Sequence, residues 1–270
     1  MLENCQMRLY HHPMKLIDTH CHLDFKEFDQ DREDVVSDAY LAGVESIILP
    51  GVKASSWDNL VKVSQKHGFC YAIGLHPCFI EEHSKNDLIL LETMLAKSNP
   101  VAIGEIGLDF YHGFNNRDLQ LDLFESQVNI AKSNALPIIV HARKSHDDIL
   151  LILKKHNFQF AGIIHAFNGS LQHAQKYIDL GFKLGFGGML TYERSTHLRK
   201  LASSLPLESI VTETDAPDMT GAKHHHQRNS PAYIPEVIET LALIRNQSEK
   251  IIAEQIWSNA EAVFKQLSCS

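Results

Sequence analysis

Eight short, apolar, β-branched runs recur along the chain: LIDTH (16–20), ESIILPG (45–51), FCYAIGLHP (69–77), PVAIGEIG (100–107), PIIVHA (137–142), AGIIHAF (161–167), FKLGFGG (182–188) and SIVTETDAP (209–217). Their starts lie 21 to 37 residues apart, close to the roughly 30 residues that a strand and its return helix occupy. Strands apolar on both faces belong to a parallel sheet covered on both sides. The segments between them carry the helical period. Residues 31–42 place Val35, Val36, Ala39 and Tyr40 on one face, and Gly43 supplies the stop. Residues 116–134 place Leu119, Leu123, Val128, Ile130 and Ala131 together, before Pro137 opens the next strand. Ser170 is placed to cap a helix that Gly181 ends. Residues 232–267 hold two further helical patterns.

Eight βα units predict a closed (β/α)8 TIM barrel, with a doubly wound open sheet as the rival. The 270 residues show no linker or break in composition. They read as one barrel domain over 14–270, preceded by an unassigned tail at 1–13, with Met14 as an alternative start. An apolar content of 44% and a charged content of 21% are ordinary for a globular chain. No apolar run is long enough for a membrane span, and the N-terminus lacks the apolar core of a secretory signal. The five cysteines at 5, 21, 70, 78 and 269 are scattered without a CxxC pair. They predict no disulfide framework and a cytoplasmic location. The net charge of −8 excludes a broadly basic nucleic-acid binder, so a phosphate-bearing substrate has to be held locally.

Seventeen histidines are the unusual feature of the composition, and where they fall matters more than their number. Barrel active sites form at the C-terminal ends of the strands, and nearly every run here ends in a group that binds metal or moves a proton. The first ends Asp18-Thr19-His20-Cys21-His22. Residues two apart on a strand face the same way, so His20 and His22 are placed to grip one cation; the alternative is a pair of exposed loop histidines. Glu105 follows PVAIG directly, and its two oxygens suit it to bridge two cations or to enter a salt bridge. His141 and His165 end consecutive strands, either as ligands or as satisfied core residues. Asp215 ends the eighth run as a ligand and proton acceptor, or as a turn cap before Pro217; Glu213 shares its face.

Six candidate ligands are more than one tetrahedral ion needs. They predict two divalent ions of the Zn²⁺, Mn²⁺ or Mg²⁺ class, which activate a water and polarise a phosphoryl or carbonyl oxygen. His76, Arg117 and Arg143 are the candidate substrate contacts, the arginines as phosphate clamps or as surface salt bridges. Tyr233, in a loop after the last strand, is placed either to stack on a base or to pack.

The motifs DTHCH (18–22), GLHP (74–77), GEIGLD (104–109), H-x-R (141–143), HAFNGS (165–170) and TETDAP (212–217) resemble those of the TatD family of metal-dependent deoxyribonucleases, in order and spacing, from about residue 16 to 265. GGML (187–190) and TDAPDM (215–219) make the chain similar to a bacterial subgroup of uncharacterised TatD-related hydrolases. The resemblance implies a (β/α)8 barrel. It implies metal ligands at His20, His22, Glu105, His141, His165 and Asp215, with Glu105 bridging. It also implies divalent-metal DNase activity, including 3′–5′ exonuclease action, with D-aminoacyl-tRNA deacylation associated with the wider family. Relatives commonly carry HGFSG where this chain has Ala166 and Asn168.

The expectation is therefore hydrolysis of a DNA phosphodiester, with Asp215 and Glu105 as the catalytic carboxylates. The same centre acting on an ester or amide such as D-aminoacyl-tRNA, or on a small phosphoester, is the second expectation. A metal-binding scaffold without activity is the third.

Overall fold

The computed structural model describes residues 14–265 and 267; the tail expected at 1–13 lies outside them. Eight parallel strands follow one another in chain order around one sheet: β1 (Leu16–Asp18), β2 (Val44–Pro50), β3 (Cys70–Ile73), β4 (Ala102–Asp109), β5 (Ile138–Arg143), β6 (Gly162–Ile164), β7 (Phe182–Phe186) and β8 (Ile210–Thr212). Hydrogen bonds join the last strand to the first. Thr19 N donates to Thr212 O at 3.0 Å, and Thr212 Oγ1 donates to Ile17 O at 3.0 Å. The protein is a (β/α)8 barrel, and the doubly wound alternative falls.

Outside the strands lie α1 (Arg32–Leu41), α2 (Trp57–His67), α3 (Lys85–Lys97), α4 (Arg117–Ser133), α5 (His146–Lys155), α6 (Leu171–Asp179), α7 (Thr196–Ser204), α8 (Ile234–Arg245) and α9 (Glu249–Val263). None is long and apolar enough to cross a membrane. Punctuation expected from sequence is present. Gly43 and Gly181 take left-handed φ of +89° and +83° after α1 and α6, and the Ser170 hydroxyl accepts the His173 N–H at 3.1 Å. Cys21 is free and buried, and Cys78 is free and exposed.

The phase of α4 differs from its apolar pattern. Leu119 is 59% exposed, whereas Gln120 and Gln127 are buried. Each glutamine satisfies the backbone at a strand end. Gln120 Oε1 accepts Asp109 N–H at 2.8 Å and its Nε2 donates to Asp109 O at 3.0 Å. Gln127 does the same for Leu75, at 2.8 and 3.0 Å. A buried amide backbone without partners costs more than one exposed leucine, so the polar edge turns inward. Tyr40, also placed on an apolar face by its spacing, is 47% exposed.

Gly107 carries φ +144°, and a Cβ there would lie 2.0 Å from the carbonyl oxygen of His141. That missing side chain lets β4 pair closely with β5, in register Gly107 to His141 and Asp109 to Arg143. The strand ends carrying Glu105 and His141 are thereby brought side by side.

Candidate metal centre

The C-terminal mouth of the barrel collects imidazoles and carboxylates from β1, β4, β5, β6 and β8. Nε2 of His20 and Nε2 of His22 lie 3.3 Å apart. Glu105 Oε2 is 3.1 Å from the first and 3.7 Å from the second; Asp215 Oδ1 is 3.6 and 3.5 Å from them. An ion with nitrogen and oxygen donors about 2.1 Å away in a tetrahedron sets those donors about 3.4 Å apart. Five of the six edges of such a tetrahedron are these five distances, so the donor set fits one divalent ion.

Glu105 turns its other oxygen the opposite way. Oε1 lies 3.0 Å from His141 Nδ1 and 3.2 Å from His76 Nε2. The carboxylate thus stands between two groups of imidazoles, one oxygen to each. Its burial would be costly without cationic partners on both sides. His165 stacks on His20 with ring centroids 3.6 Å apart and sets Nε2 3.5 Å from Asp215 Oδ2. The donor atoms of His20, Glu105 and His165 also converge within 4.8 Å.

Three further carboxylates orient this set. Asp109 Oδ2 is 3.0 Å from His141 Nε2, leaving Nδ1 for the centre. Glu213 Oε1 is 3.1 Å from His165 Nδ1, leaving Nε2. Glu213 is itself held where Gly185 leaves room, since a Cβ at that glycine would lie 2.2 Å from Glu213 Oε2. Asp18 is fully buried and accepts the backbone N–H groups of His20 at 3.1 Å and Thr214 at 2.9 Å. It ties β1 to the segment leading into Asp215. Asp215 N donates to His20 O at 2.8 Å and sits at φ +59°, a conformation Asp tolerates better than most residues.

The electrostatics follow from this crowding. Burial works against charge on Glu105, but His76 and His20 beside it, with hydrogen bonds from His141 and His20, hold its carboxyl well below the usual range. Burial is likewise overcome at Asp215, chiefly by His165 and then by His22, so it too is held low. Burial pulls His141 down, but hydrogen bonds to Asp109 and Glu105 outweigh it and push its pKa up to about 9. His165 is raised well above its ordinary value against burial by Glu213 and Asp215. His20 is lowered, by burial and then by the neighbouring His165. Burial lifts Asp18 to about 7 despite the Thr214 hydrogen bonds.

Of the residues expected as ligands, His20, His22, Glu105, His165 and Asp215 lie together, and His141 joins them through the second oxygen of Glu105. The candidate substrate contacts divide. His76 is buried against Glu105 rather than turned to solvent. Arg117 is committed to Asp148 at 2.5 Å. Arg143 lies at the rim, its guanidinium carbon 3.7 Å from the Tyr111 ring centroid and its side chain 47% exposed. Tyr233 packs flat on His224 at 3.6 Å, the packing alternative. Asp109 lies four residues beyond Glu105 on β4, and that spacing is the one signal in the sequence for its place beside His141. Cys78, whose Sγ is 3.5 Å from Asp109 Oδ2, gave no sequence signal at all.

Residues 17–265 match the family described as TatD related DNase. An uncharacterised metal-dependent hydrolase of Escherichia coli K12, YjjV, is 37% identical over 253 residues, covering 93% of this chain and 98% of that protein. A Salmonella typhimurium protein named 3′-5′ ssDNA/RNA exonuclease TatD is 32% identical over 258 residues, covering 93% and 99%. The crystal structure of the E. coli TatD homologue YjjV superposes with a TM-score of 0.90 at 36% identity, over 94% of this chain and 99% of that one.

Proposed function

Because the chain belongs to the TatD related DNase family and is a metal-dependent hydrolase acting on ester bonds, we propose that it cleaves phosphodiester bonds at the 3′ end of single-stranded DNA. The observation that carries the reading is the division of Glu105 between two imidazole groups, one oxygen to each. His20, His22, Asp215 and Glu105 would hold one divalent ion. Glu105, His141 and His165 would hold a second. When bound, such ions acidify water and offset the charge that develops on phosphoryl oxygens.

The protein's own groups supply the rest. Asp215 is kept ionised by His165 and His22 and is 18% exposed, so it reaches solvent where Glu105 does not. It accepts the proton of the attacking water. Asp109 holds the His141 ring through a hydrogen bond at Nε2, and Glu213 lies 3.1 Å from His165 Nδ1, so each ring is left with one nitrogen for the centre. Arg143 takes a phosphate oxygen at the rim, and Tyr111, 48% exposed beside it, offers a face for a terminal base. The name of the Salmonella relative supports the 3′–5′ direction and the single-stranded substrate.

A second reading has an observation of its own. Arg117 is tied to Asp148 and the net charge is −8, which works against long-range attraction of a polyanion. This favours a small phosphoester; an acyl ester such as D-aminoacyl-tRNA is the other substrate that the same centre could take. End-labelled single- and double-stranded DNA, RNA, aminoacyl-tRNA and small phosphoesters are compared at fixed metal, with Asp215→Asn as control. Shortening of single-stranded DNA from its 3′ end, abolished by chelator and by Asp215→Asn, is the expected result. Turnover of the small esters with DNA untouched transfers the function to the second reading.

A further inference from the structure

We propose that Cys78 is a ligand of the ion held on the Oε1 side of Glu105, so that one position of the centre is built from nitrogen and oxygen donors and the other includes a thiol. This rests on the two-ion reading of the mouth and adds a donor that the six expected ligands do not contain.

Cys78 lies on the turn after β3. Its backbone N–H donates to His76 Nδ1 at 3.1 Å, which fixes that ring with Nε2 facing Glu105 Oε1 at 3.2 Å. Its Sγ lies 3.5 Å from Asp109 Oδ2, the same oxygen that stands 3.0 Å from His141 Nε2. Donor atoms of His76, Cys78 and His141 fall within 4.8 Å of one another. Glu105 Oε1 lies against both imidazoles of this group, 3.2 Å from His76 Nε2 and 3.0 Å from His141 Nδ1, so Cys78 and His76 add to the donors already proposed for the second position. His76 joins this group through its buried Nε2 rather than serving as a substrate contact.

Packing does not account for the thiol. Free cysteines kept for packing are buried, as Cys21 is, whereas Cys78 is exposed beside a carboxylate and two imidazoles. Donors around a tetrahedral ion with nitrogen and sulfur ligands stand about 3.6 Å apart. The sulfur therefore has to close on the imidazole nitrogens from a separation of no more than 4.8 Å, a shift that an exposed side chain makes without disturbing packed neighbours. On binding, the thiol releases its proton to solvent and the sulfur joins the ion. A thiol donor selects Zn²⁺ or Co²⁺ over Mg²⁺ and Mn²⁺, so the two positions differ in preference. The first tolerates hard ions, and the second does not.

The test reads metal and thiol rather than turnover. Metal-free full-length protein is titrated with Co²⁺, alongside Cys78→Ser and Cys78→Ala. The unsubstituted protein is expected to gain an intense near-ultraviolet sulfur-to-cobalt band with the second equivalent. Both variants are expected to keep the weaker visible bands of nitrogen- and oxygen-bound cobalt while losing that band. In parallel, iodoacetamide labelling is followed on the Cys78 peptide by mass spectrometry, and Zn²⁺ is expected to slow it by about tenfold or more. Two equivalents bound with no sulfur band, or labelling at one rate with and without Zn²⁺, overturns the assignment of Cys78 and leaves the two-ion centre standing. Failure to bind any equivalent overturns both.

Discussion

His141 and His165 each stand between a carboxylate that orients the ring and one that shares the centre. Removing the orienting partner leaves the ligand in place but free to turn. Asp109→Asn and Glu213→Gln are therefore expected to weaken metal binding by about 10- to 100-fold while leaving the fold intact. Chelator competition followed by circular dichroism measures both, and unchanged affinity contradicts the positioning role. The same residues give the metal-free protein a pH signature. The His141 pKa rises from 6.5 to about 9 on folding, so the stability it contributes is complete below 6.5 and is lost as pH climbs through 9. Glu105 and Asp215, held low, contribute above the ordinary carboxylate range and lose that contribution as pH falls beneath it. Chelator-treated protein should melt at progressively lower temperature from pH 6.5 to 9, whereas the metal-loaded form should hold, because bound ions replace the protons. A metal-free melting temperature that rises over that interval refutes this account of the cluster. At this scale the convergence of the candidate ligands is legible, since His20, Glu105, His141, His165 and Asp215 each end an apolar run. The roles of Asp109 and Cys78 are not. They come from contacts between β4, β5 and the turn after β3, which no single run contains.

Among the elements, the strands were easier to read than the helix faces. A strand apolar on both sides stands out from its neighbours, and the stops at Gly43 and Gly181 are local in origin. The phase of α4 is not local. Gln120 and Gln127 turn inward because the ends of β3 and β4 leave backbone groups that only a side-chain amide can pair, and this demand is invisible until the strands are in register. Apolar periodicity alone would predict that Gln120→Leu stabilises the protein. The structure predicts the reverse. Losing partners for both Asp109 N–H and Asp109 O should cost about 2–4 kcal/mol in urea unfolding. It should also loosen the strand end that carries Asp109. An equal or higher unfolding midpoint for Gln120→Leu contradicts this account of the helix.

Over the whole molecule, chain order fixes which side chains meet. Eight parallel strands in sequence around a closed sheet bring every strand's C-terminal end to one mouth, so residues almost two hundred positions apart, such as Asp18 and Thr214, come within hydrogen-bond distance. A net charge of −8 gives the molecule little long-range pull on a polyanion. On the proposed reading, affinity for a nucleic-acid end would have to come from bound ions and from groups at the rim, Arg143 and Tyr111 among them. Everything proposed for catalysis depends on Glu105 standing between two cations. Anomalous scattering from crystals of the Zn²⁺-loaded protein measures this directly. Two peaks are predicted, one enclosed by His20, His22, Asp215 and Glu105 Oε2, the other on the Oε1 side of the same carboxylate. A single peak, or peaks that Glu105 does not separate, would contradict the account.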